Sequence, residues 1–218
     1  MIERVSVIGR GRVGSAVAAR LEEQQLLDEA TPELVILCVP DAVIDDVASR
    51  IPPGPWVAHV SGGTRLAALD PHRRRFSMHP LQTFTLDRGP EQLDGAWAAV
   101  SGDDETALET GEWLATTLKL RPFRLADADR PLYHAAAVFA ANYLVTLHDV
   151  AARLFTEVGA PPEGLEPLMR RTIENGFQLT GPIERGDTPT LDAHLAALRE
   201  RAPDLEALYR LLADSTRA

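Results

Sequence analysis

The sequence has a single cysteine, Cys38, among its 218 residues. No disulfide can form within the chain, and Cys38 lies inside an apolar run, so we expect it to be a small buried residue. The cysteine and the scattered histidines lack zinc-ligand spacing, and neither a nucleophile elbow nor a phosphate-binding lysine motif occurs. The sequence therefore predicts no metal site, and it gives no sign of a serine hydrolase or a P-loop nucleotidase.

Positive charge is also scarce, because 22 Lys and Arg face 32 Asp and Glu and give a formal net charge of −10. Such a surface repels phosphate backbones, which argues against nucleic-acid binding. The longest apolar stretch, near Ala135–Ala141, is too short to cross a bilayer. Glu3 and Arg4 precede a strand pattern, unlike a signal peptide. We expect a cytoplasmic protein that binds a small molecule.

The first 124 residues alternate short apolar runs with helical patterns, which is typical of a parallel α/β sheet. The predicted strands are Arg4–Ile8, Leu34–Val39, Trp56–Val60, Arg75–Met78 and Trp97–Val100. The predicted helices between them are Arg12–Gln24, Ala42–Arg50 and Asp104–Leu118.

Past Asp127 the strand patterns stop and only helical patterns remain. The predicted helices are Arg130–Val158, Glu163–Phe177, Thr188–Glu200 and Asp204–Asp214. We therefore predict an α/β domain over residues 1–124 and an all-helical domain over residues 125–218.

A glycine loop, Gly9–Arg10–Gly11–Arg12–Val13–Gly14, joins the first strand to the first helix. In this context Gly9 permits the tight turn, Gly11 lets the backbone approach a phosphate, and Gly14 lets the helix pack against the strand. Arg10 and Arg12 either touch a phosphate or are simply solvated. The loop predicts a Rossmann-type pyrophosphate site built from all six residues, against the alternative of a glycine turn without a ligand.

The segment after the first helix is shorter than a complete dinucleotide fold requires. Only Gln24–Glu33 separates that helix from the next strand, whereas a further strand with its crossover helix needs about 30 residues. We predict a Rossmann-like sheet whose second strand is missing, with Leu34–Val39 directly beside the first strand. Asp28 or Glu29 could replace the acidic residue that binds the adenosine ribose, although neither ends a clear strand.

Several stretches resemble bacterial proteins that join a Rossmann-like NAD(P)-binding domain to a helical C-terminal domain of unknown function. These proteins are distant relatives of pyrroline-5-carboxylate reductase, ketopantoate reductase and 6-phosphogluconate dehydrogenase. The matching residues are Val39–Asp41, Val60–Gly62, Met78–Phe84, Leu132–Ala136, Asn142–Leu144, Leu179–Asp187 and His194. The His-Pro-Leu-Gln-Thr-Phe and Thr-Gly-Pro-Ile-x-Arg-Gly-Asp runs are the specific ones.

The resemblance implies an NADP- or NAD-dependent oxidoreductase with its active site between the domains, and a homodimer in which the long helices pack together. Related reductases place a polar residue on that helix as proton donor, which makes His134 the candidate, with Asn142 two turns later as a second catalytic group. A structural histidine and a buried amide are the alternatives for these two residues.

The remaining candidates follow predicted strands or lie in the loop before Thr188. Val39, Pro40 and Ser61 are assigned to the cofactor, although Ser61 could be an ordinary turn serine. His79 and Gln82 are assigned to the substrate, or else His79 only orients its loop. Arg185 either pairs with an acidic substrate or clamps Asp187.

Three functional hypotheses remain open on this basis. The first is an NAD(P)-dependent reductase of a small keto or imino acid. The second is a degenerate relative that has lost full dinucleotide binding and acts as a binding or regulatory protein, which the missing strand favours. The third is a loop that holds a smaller phosphate ligand or a mononucleotide.

Overall fold

The computed structural model describes residues 2–217, and its strands form one six-stranded sheet in chain order. The strands are β1 (Val5–Ile8), β2 (Leu34–Leu37), β3 (Trp56–His59), β4 (Arg75–Leu81), β5 (Trp97–Gly102) and β6 (Arg121–Arg124). Strands β1 to β4 are parallel, β5 is antiparallel to β4, and β6 is parallel to β5. The predicted Rossmann-like sheet is confirmed, although its last two strands run in the opposite direction.

Strand β6 is the one strand of the described chain that the sequence did not predict. Its residues Arg121, Pro122, Phe123 and Arg124 are charged at both ends and include a proline, which is a weak strand pattern. Because β6 pairs only with β5 at the edge of the sheet, the missing amide hydrogen of Pro122 is tolerated there.

The helices follow the predicted order with small shifts at their ends. They are α1 (Arg12–Glu23), α2 (Ile44–Ala48), α3 (Glu105–Thr117), α4 (Arg130–Glu157), α5 (Leu165–Glu174), α6 (Thr188–Arg201) and α7 (Glu206–Arg217). Asp104 caps α3 by accepting the amide hydrogen of Ala107 at 2.8 Å, and Asp187 caps α6 through Thr190 at 3.2 Å. Caps of this kind explain why the starts of α3 and α6 could be read from sequence.

The sheet is buried on both faces. Leu34 and Ile36 of β2 face the main core, which α1 and α3 cover, while Val35 and Leu37 face a smaller core together with Ile44 of α2. Strands buried on both sides carry apolar residues at successive positions, which is why β2 appears in the sequence as an uninterrupted apolar run.

Strand β1 forms one edge of the sheet, where a complete dinucleotide fold would continue with its second strand. The connection after α1 leaves only a single bridge there, between Val5 and Leu27. Val5 donates to the carbonyl of Leu26 at 2.8 Å, and Asp28 donates to the carbonyl of Val5 at 2.9 Å. The predicted deletion of the second strand is confirmed, and Asp28 directly follows what remains of it.

The chain divides into two compact units, residues 1–143 and 144–218, so that each unit contains half of α4. The boundary predicted after residue 124 follows the last strand, whereas the division by compactness falls later, within the helix. In the second unit Leu198, Ala202 and Leu205 form a small core against α4 residues such as Leu154.

Residues Asp127–Glu157, which contain α4, are long and apolar enough to span a bilayer by length and composition, with a mean hydropathy of 1.3 in an 18-residue window that is 0% buried. The sequence-based prediction rested on the uninterrupted apolar run Ala135–Ala141 alone, and that run is shorter than the apolar helix that contains it. Length and composition do not separate a membrane span from a helix that packs against another protein surface, so the exposed face of α4 requires an explanation.

Candidate functional site

The glycine loop after β1 has the geometry that its sequence predicts. Gly9 has a φ of 97°, which a residue with a side chain rarely adopts, and a Cβ atom at Gly14 would overlap the carbonyl oxygen of Gly9. A Cβ atom at Gly14 would also lie 2.9 Å from Cβ of Cys38 on the neighbouring strand connection. By contrast, nothing lies within 4 Å of a Cβ built on Gly11. Gly9 and Gly14 are therefore needed for the turn and for packing, whereas Gly11 faces open space.

The N-terminus of α1 begins at this open space. Gly11 is its N-cap, no side chain caps it, and its first turn carries no acidic residue. The amide hydrogens of a helix start that lack intrahelical acceptors carry partial positive charge and bind anions. Gly11, Arg12 and Val13 line a cavity of about 420 Å³, which places this electropositive helix start against a volume that a phosphate could enter.

The loops after β2 and β3 and the end of β4 complete the walls of this cavity, which we call the loop cavity. Because these strands are parallel, their carboxyl ends meet at the edge where the glycine loop lies. The other lining residues are Cys38, Val39, Pro40, Asp41, Val60, Ser61, Gly62, His79, Pro80, Gln82, Phe84 and His134. Most of the residues that the sequence assigned to cofactor and substrate therefore lie around a single cavity.

Arg10, the remaining charged residue of the glycine loop, is already paired. Its guanidinium lies 2.5 Å from a carboxylate oxygen of Glu29, and both side chains are largely exposed. Asp28 instead accepts the amide hydrogen of Ala30 at 2.8 Å and so closes the turn after the residual bridge. Of the two predicted acidic candidates, Glu29 is the one that contacts the glycine loop, and it does so through an arginine.

Ser61 has local partners for its hydroxyl group. Its Oγ donates to Asp41 at 2.7 Å, lies 2.9 Å from Oγ1 of Thr64 and accepts the amide hydrogen of Thr64 at 3.0 Å. This contact ties the loop after β3 to the loop after β2. The local bonds favour the turn-serine interpretation of the Ser61 side chain, although the residue does line the loop cavity.

Arg130, the first residue of α4, is completely buried although it carries a charge. Its Nε donates to the carbonyl of Thr64 at 2.7 Å, Nη1 donates to Oγ of Ser101 at 3.1 Å, and Nη2 donates to the carbonyl of Ser61. These acceptors are neutral, so burial lowers the pKa of Arg130, while the charge of Asp127 opposes that shift. The guanidinium fastens the loop after β3 to the start of α4.

His59 and Ser77 lie opposite each other on β3 and β4, and both are completely buried. Within the described chain, neither the two ring nitrogens of His59 nor the hydroxyl of Ser77 has a hydrogen-bond partner. Burial, together with the charge of Arg130, lowers the pKa of His59 to about 3. His59 is therefore neutral near pH 7 and adds no charge behind the loop cavity.

His79, Tyr133 and His134 form an aromatic cluster beside the loop cavity. Nδ1 of His79 lies 2.8 Å from the hydroxyl oxygen of Tyr133, and the rings of His79 and His134 have centroids 6.0 Å apart. Burial, with smaller contributions from Arg130 and His134, lowers the pKa of His79 to about 4. Burial raises the pKa of Tyr133 to about 12. At neutral pH this pair consists of an uncharged imidazole and an uncharged phenol.

A second cavity of about 500 Å³ lies on the other side of this cluster, and we call it the helix cavity. His79, Gln82 and His134 line both cavities. The other lining residues of the helix cavity are Leu81, Thr83, Tyr133, Ala136, Ala137, Val138, Ala140, Ala141 and Asn142. The two predicted catalytic residues, His134 and Asn142, therefore line the same cavity, and four alanines of α4 form part of its wall.

Arg185, the third predicted substrate residue, belongs to the second unit. Its backbone amide donates to the carbonyl of Gly181 at 3.3 Å. Hydrogen bonds from Thr190 lower the pKa of Asp187, and the charge of Arg185 contributes to the same effect. The Asp187 carboxylate caps α6 through Thr190, and among the described residues it makes no ion pair with Arg185, so the clamp between the two stays a prediction.

The largest cavity of the described chain, about 640 Å³, lies at the amino ends of β2 to β4 and is separate from these sites. Two of its charged side chains already have partners. The guanidinium of Arg74 lies 5.1 Å from the Trp56 ring centroid and donates to the carbonyl of Gly54 at 3.1 Å, and Glu33 accepts the amide hydrogen of Glu3 at 2.8 Å. We assign no chemistry to this cavity.

Sequence reasoning gave no role to Arg130, Tyr133, Gly62 or Gly63, although all four shape the site. A Cβ atom on Gly62 would lie 2.7 Å from His134 and 3.0 Å from His79, and one on Gly63 would lie 2.9 Å from Nδ1 of His134. The available signal was the position of Arg130 and Tyr133 within one turn of His134 on the same predicted helix.

Comparison with solved structures finds proteins whose fold matches that of this chain over nearly the full length of both. A Bacteroides fragilis protein provisionally assigned as an NADP oxidoreductase is 20% identical with a TM-score of 0.81, over 99% of this chain and 98% of that one. Protein TM1727 from Thermotoga maritima is 24% identical with a TM-score of 0.75, over 98% and 100% of the two chains. A reductive aminase from Aspergillus terreus, solved with NADPH and ethyl levulinate, is 18% identical with a TM-score of 0.72, over 100% and 94%.

The fold and the glycine loop together define a protein with a Rossmann-like first part and a helical second part. The chain belongs to the family described as a domain of unknown function (DUF2520), whose model matches residues 96–216. The resemblance noted from the sequence motifs is thereby confirmed. Comparison with curated proteins gives no significant match.

Proposed function

We propose that this protein is an NAD(P)-dependent oxidoreductase that reduces a small keto or imino acid. The observation that carries the proposal is the loop cavity, because the open helix start at Gly11 and the polar cluster at His79 and His134 line the same volume. The reductive aminase of similar fold was solved with NADPH, which supports the same class of cofactor for this chain. A cytoplasmic location stays a prediction.

The residues present fit the pyrophosphate and nicotinamide portions of a dinucleotide. Amide hydrogens at Gly11, Arg12 and Val13 would hold the pyrophosphate, and the turn at Val39 and Pro40 would border the nicotinamide end. When bound, the nicotinamide supplies the hydride. On the side where the adenosine would lie, Arg10 and Glu29 are paired with each other.

The chain's own contribution to the reduction is to orient the substrate and to supply a proton. His134 lines both the loop cavity and the helix cavity, so a substrate there would lie next to the cofactor. Gln82 and Asn142 line the helix cavity and would hydrogen-bond the substrate. Arg185 stays the proposed partner of a substrate carboxylate.

The missing adenosine-side strand favours a second candidate, a relative that has lost full dinucleotide binding and serves as a binding or regulatory protein. The edge position of β1 and the Arg10–Glu29 pair are the observations on its side. Oxidation of NADPH and NADH, followed with a panel of 2-oxo acids and cyclic imines, separates the two. Substrate-dependent oxidation supports the reductase, and the absence of both saturable binding and oxidation of either cofactor supports the regulatory relative.

We also propose a homodimer formed through α4. Leu132, Phe139, Tyr143 and Leu147 follow one another at intervals of seven, four and four residues, which places them on one side of the helix, and all four are exposed. No Asp, Glu, Lys or Arg occurs between Arg130 and Asp149. The net charge of −10 opposes contact with an anionic bilayer, whereas the stripe itself carries no charge that would repel the same stripe of a second copy, which is the occupant we favour.

A further inference from the structure

Tyr133 faces the helix cavity from the first turn of α4, and its hydroxyl oxygen lies 2.8 Å from Nδ1 of His79. We propose that Tyr133 is the proton donor of the reduction and that His79 is the residue that positions it. This inference rests on the proposed function, since it assigns the proton that a carbonyl or imine reduction must consume. The sequence had assigned that proton to His134.

The hydroxyl group of Tyr133 keeps its proton at neutral pH, since the ordinary tyrosine pKa of about 10 lies well above 7 and burial raises the pKa of Tyr133 further, to about 12. It is also held in place, since its ring packs edge-on against Phe123 with centroids 6.0 Å apart and against His79 with centroids 5.6 Å apart. A donor fixed on two sides can meet the substrate in one orientation, which is what general acid catalysis requires.

His79 is uncharged at neutral pH, so only one of its ring nitrogens carries a hydrogen. With that hydrogen on Nδ1, His79 donates to the oxygen of Tyr133, and the hydroxyl hydrogen of Tyr133 is free to point into the helix cavity. The buried charge of Arg130, one turn earlier on α4, lowers the pKa of Tyr133 and so opposes the effect of burial. Both neighbours stabilise the tyrosinate that remains after the proton has left.

The proton balance of the step is simple. When the carbon of a C=O or C=N bond accepts the hydride, the electron pair of that double bond moves to the oxygen or nitrogen. This atom then takes the hydroxyl proton of Tyr133, so the O–H bond of the tyrosine breaks and an O–H or N–H bond of the product forms. The tyrosinate, held by Nδ1–H of His79, recovers its proton from water.

His134 is placed differently. Its ring lies against the backbone of the loop after β3, where Cβ atoms on Gly62 and Gly63 would come within 2.7 and 2.9 Å of it. A ring packed in this way separates the loop cavity from the helix cavity and can contact the substrate. We therefore assign His134 to orientation of the substrate and Tyr133 to the proton.

The test combines a hydrogen-position measurement with kinetics of the full chain. In ¹⁵N-histidine-labelled wild type near pH 7, we expect the hydrogen of His79 on Nδ1. With NADPH and either pyruvate or 2-methyl-1-pyrroline as probe, we expect Tyr133→Phe to lower kcat about 100-fold or more. His134→Gln should lower kcat by less than about tenfold and mainly raise KM. Calorimetry should give Tyr133→Phe the wild-type affinity for NADPH, which shows that the variant is folded.

A hydrogen on Nε2 of His79 would overturn the assignment, because Tyr133 would then donate to His79 instead of to the substrate. Wild-type kcat in Tyr133→Phe, or a larger loss in His134→Gln, would overturn it as well. Failure of the wild type to oxidise NADPH with either probe counts against the proposed function, and the hydrogen position at His79 then decides the inference about Tyr133 on its own.

Discussion

His134 lies so close to Gly62 that a Cβ atom on the glycine would be 2.7 Å from Cδ2 of the histidine ring. The first turn of α4 and the loop after β3 are therefore in direct contact, and Arg130 bonds the same loop through the carbonyls of Ser61 and Thr64. The position of the His134 ring therefore depends on the absence of a side chain at Gly62, and adding one methyl group there tests this dependence.

Gly62→Ala should lower kcat/KM by about tenfold or more, because the added methyl group pushes His134 and His79 out of position. The affinity for NADPH should change little, since Gly11 and the start of α1 are not altered. Gly164→Ala is the matched control, because nothing lies within 4 Å of a Cβ at that position. Steady-state kinetics and calorimetry on the three proteins test this, and a Gly62→Ala enzyme as active as wild type would contradict it.

Substitutions at two glycines of the loop should affect different properties, one the stability of the fold and the other the binding of NADPH. Gly14→Ala should reduce the free energy of unfolding by about 1–3 kcal/mol, since its methyl group would overlap the carbonyl of Gly9. Gly11→Val should cost less stability than Gly14→Ala, since only the N-cap preference is lost, but it should weaken NADPH binding, because its side chain enters the open space that a phosphate would use. Urea denaturation and calorimetry measure the two effects, and equal loss of stability in both variants would disprove the distinction.

Two histidines should make the free energy of unfolding fall as the pH is lowered from about 6.5, the ordinary histidine pKa, towards 4. His59, with a pKa of about 3, and His79, with a pKa of about 4, are uncharged in the folded protein, whereas the unfolded chain takes up a proton at each. Because the unfolded state binds more protons, each histidine lowers the free energy of unfolding by about 1.4 kcal/mol per pH unit within this window.

Urea denaturation at several pH values measures that slope. The charge of Arg130 adds to the burial effect on both histidines, while the charge of Asp41 opposes it. Replacing either histidine by glutamine should remove its share of the slope. An unchanged slope in both His59→Gln and His79→Gln would show that these residues do not cause the pH dependence.

The α4 surface should hold two copies of the chain together. Phe139→Glu introduces a charge into the exposed apolar stripe and should convert the dimer to monomer, as measured by sedimentation equilibrium. Leu86→Glu is the control, because Leu86 is 71% exposed but lies outside α4. A wild-type monomer in solution contradicts the dimer, and binding of that monomer to neutral lipid vesicles would identify a membrane as the occupant instead.

Most of the fold could be predicted because each signal was local. The apolar run of β2 reflects burial on both faces, and the caps Asp104 and Asp187 lie directly before their helices. The missing second strand followed from a length alone, since the connection after α1 is too short to contain it. Strand β6 could not be predicted because its stability comes from pairing with β5, and its own residues favour a loop.

The sequence predicted many of the residues that line the site, but it did not predict the contacts between them. Gly11, Ser61 and His79 could be selected because they follow predicted strands, and His134 because the resemblance to related reductases pointed to its helix. The burial of Arg130 and the contact between Tyr133 and His79 depend on residues that lie 29 to 69 positions apart along the chain, which no local pattern encodes. The pairing of Arg10 with Glu29 depends in the same way on how the shortened connection folds back.

Calorimetric titration of the wild-type chain with NADPH, and separately with NADH, shows whether the helix start after β1 holds a dinucleotide. We expect saturable binding of at least one of them at one site per chain, weakened by Gly11→Val and kept by Tyr133→Phe. Absence of saturable binding for both cofactors, or binding that Gly11→Val leaves unchanged, would show that the helix start after β1 does not hold a dinucleotide.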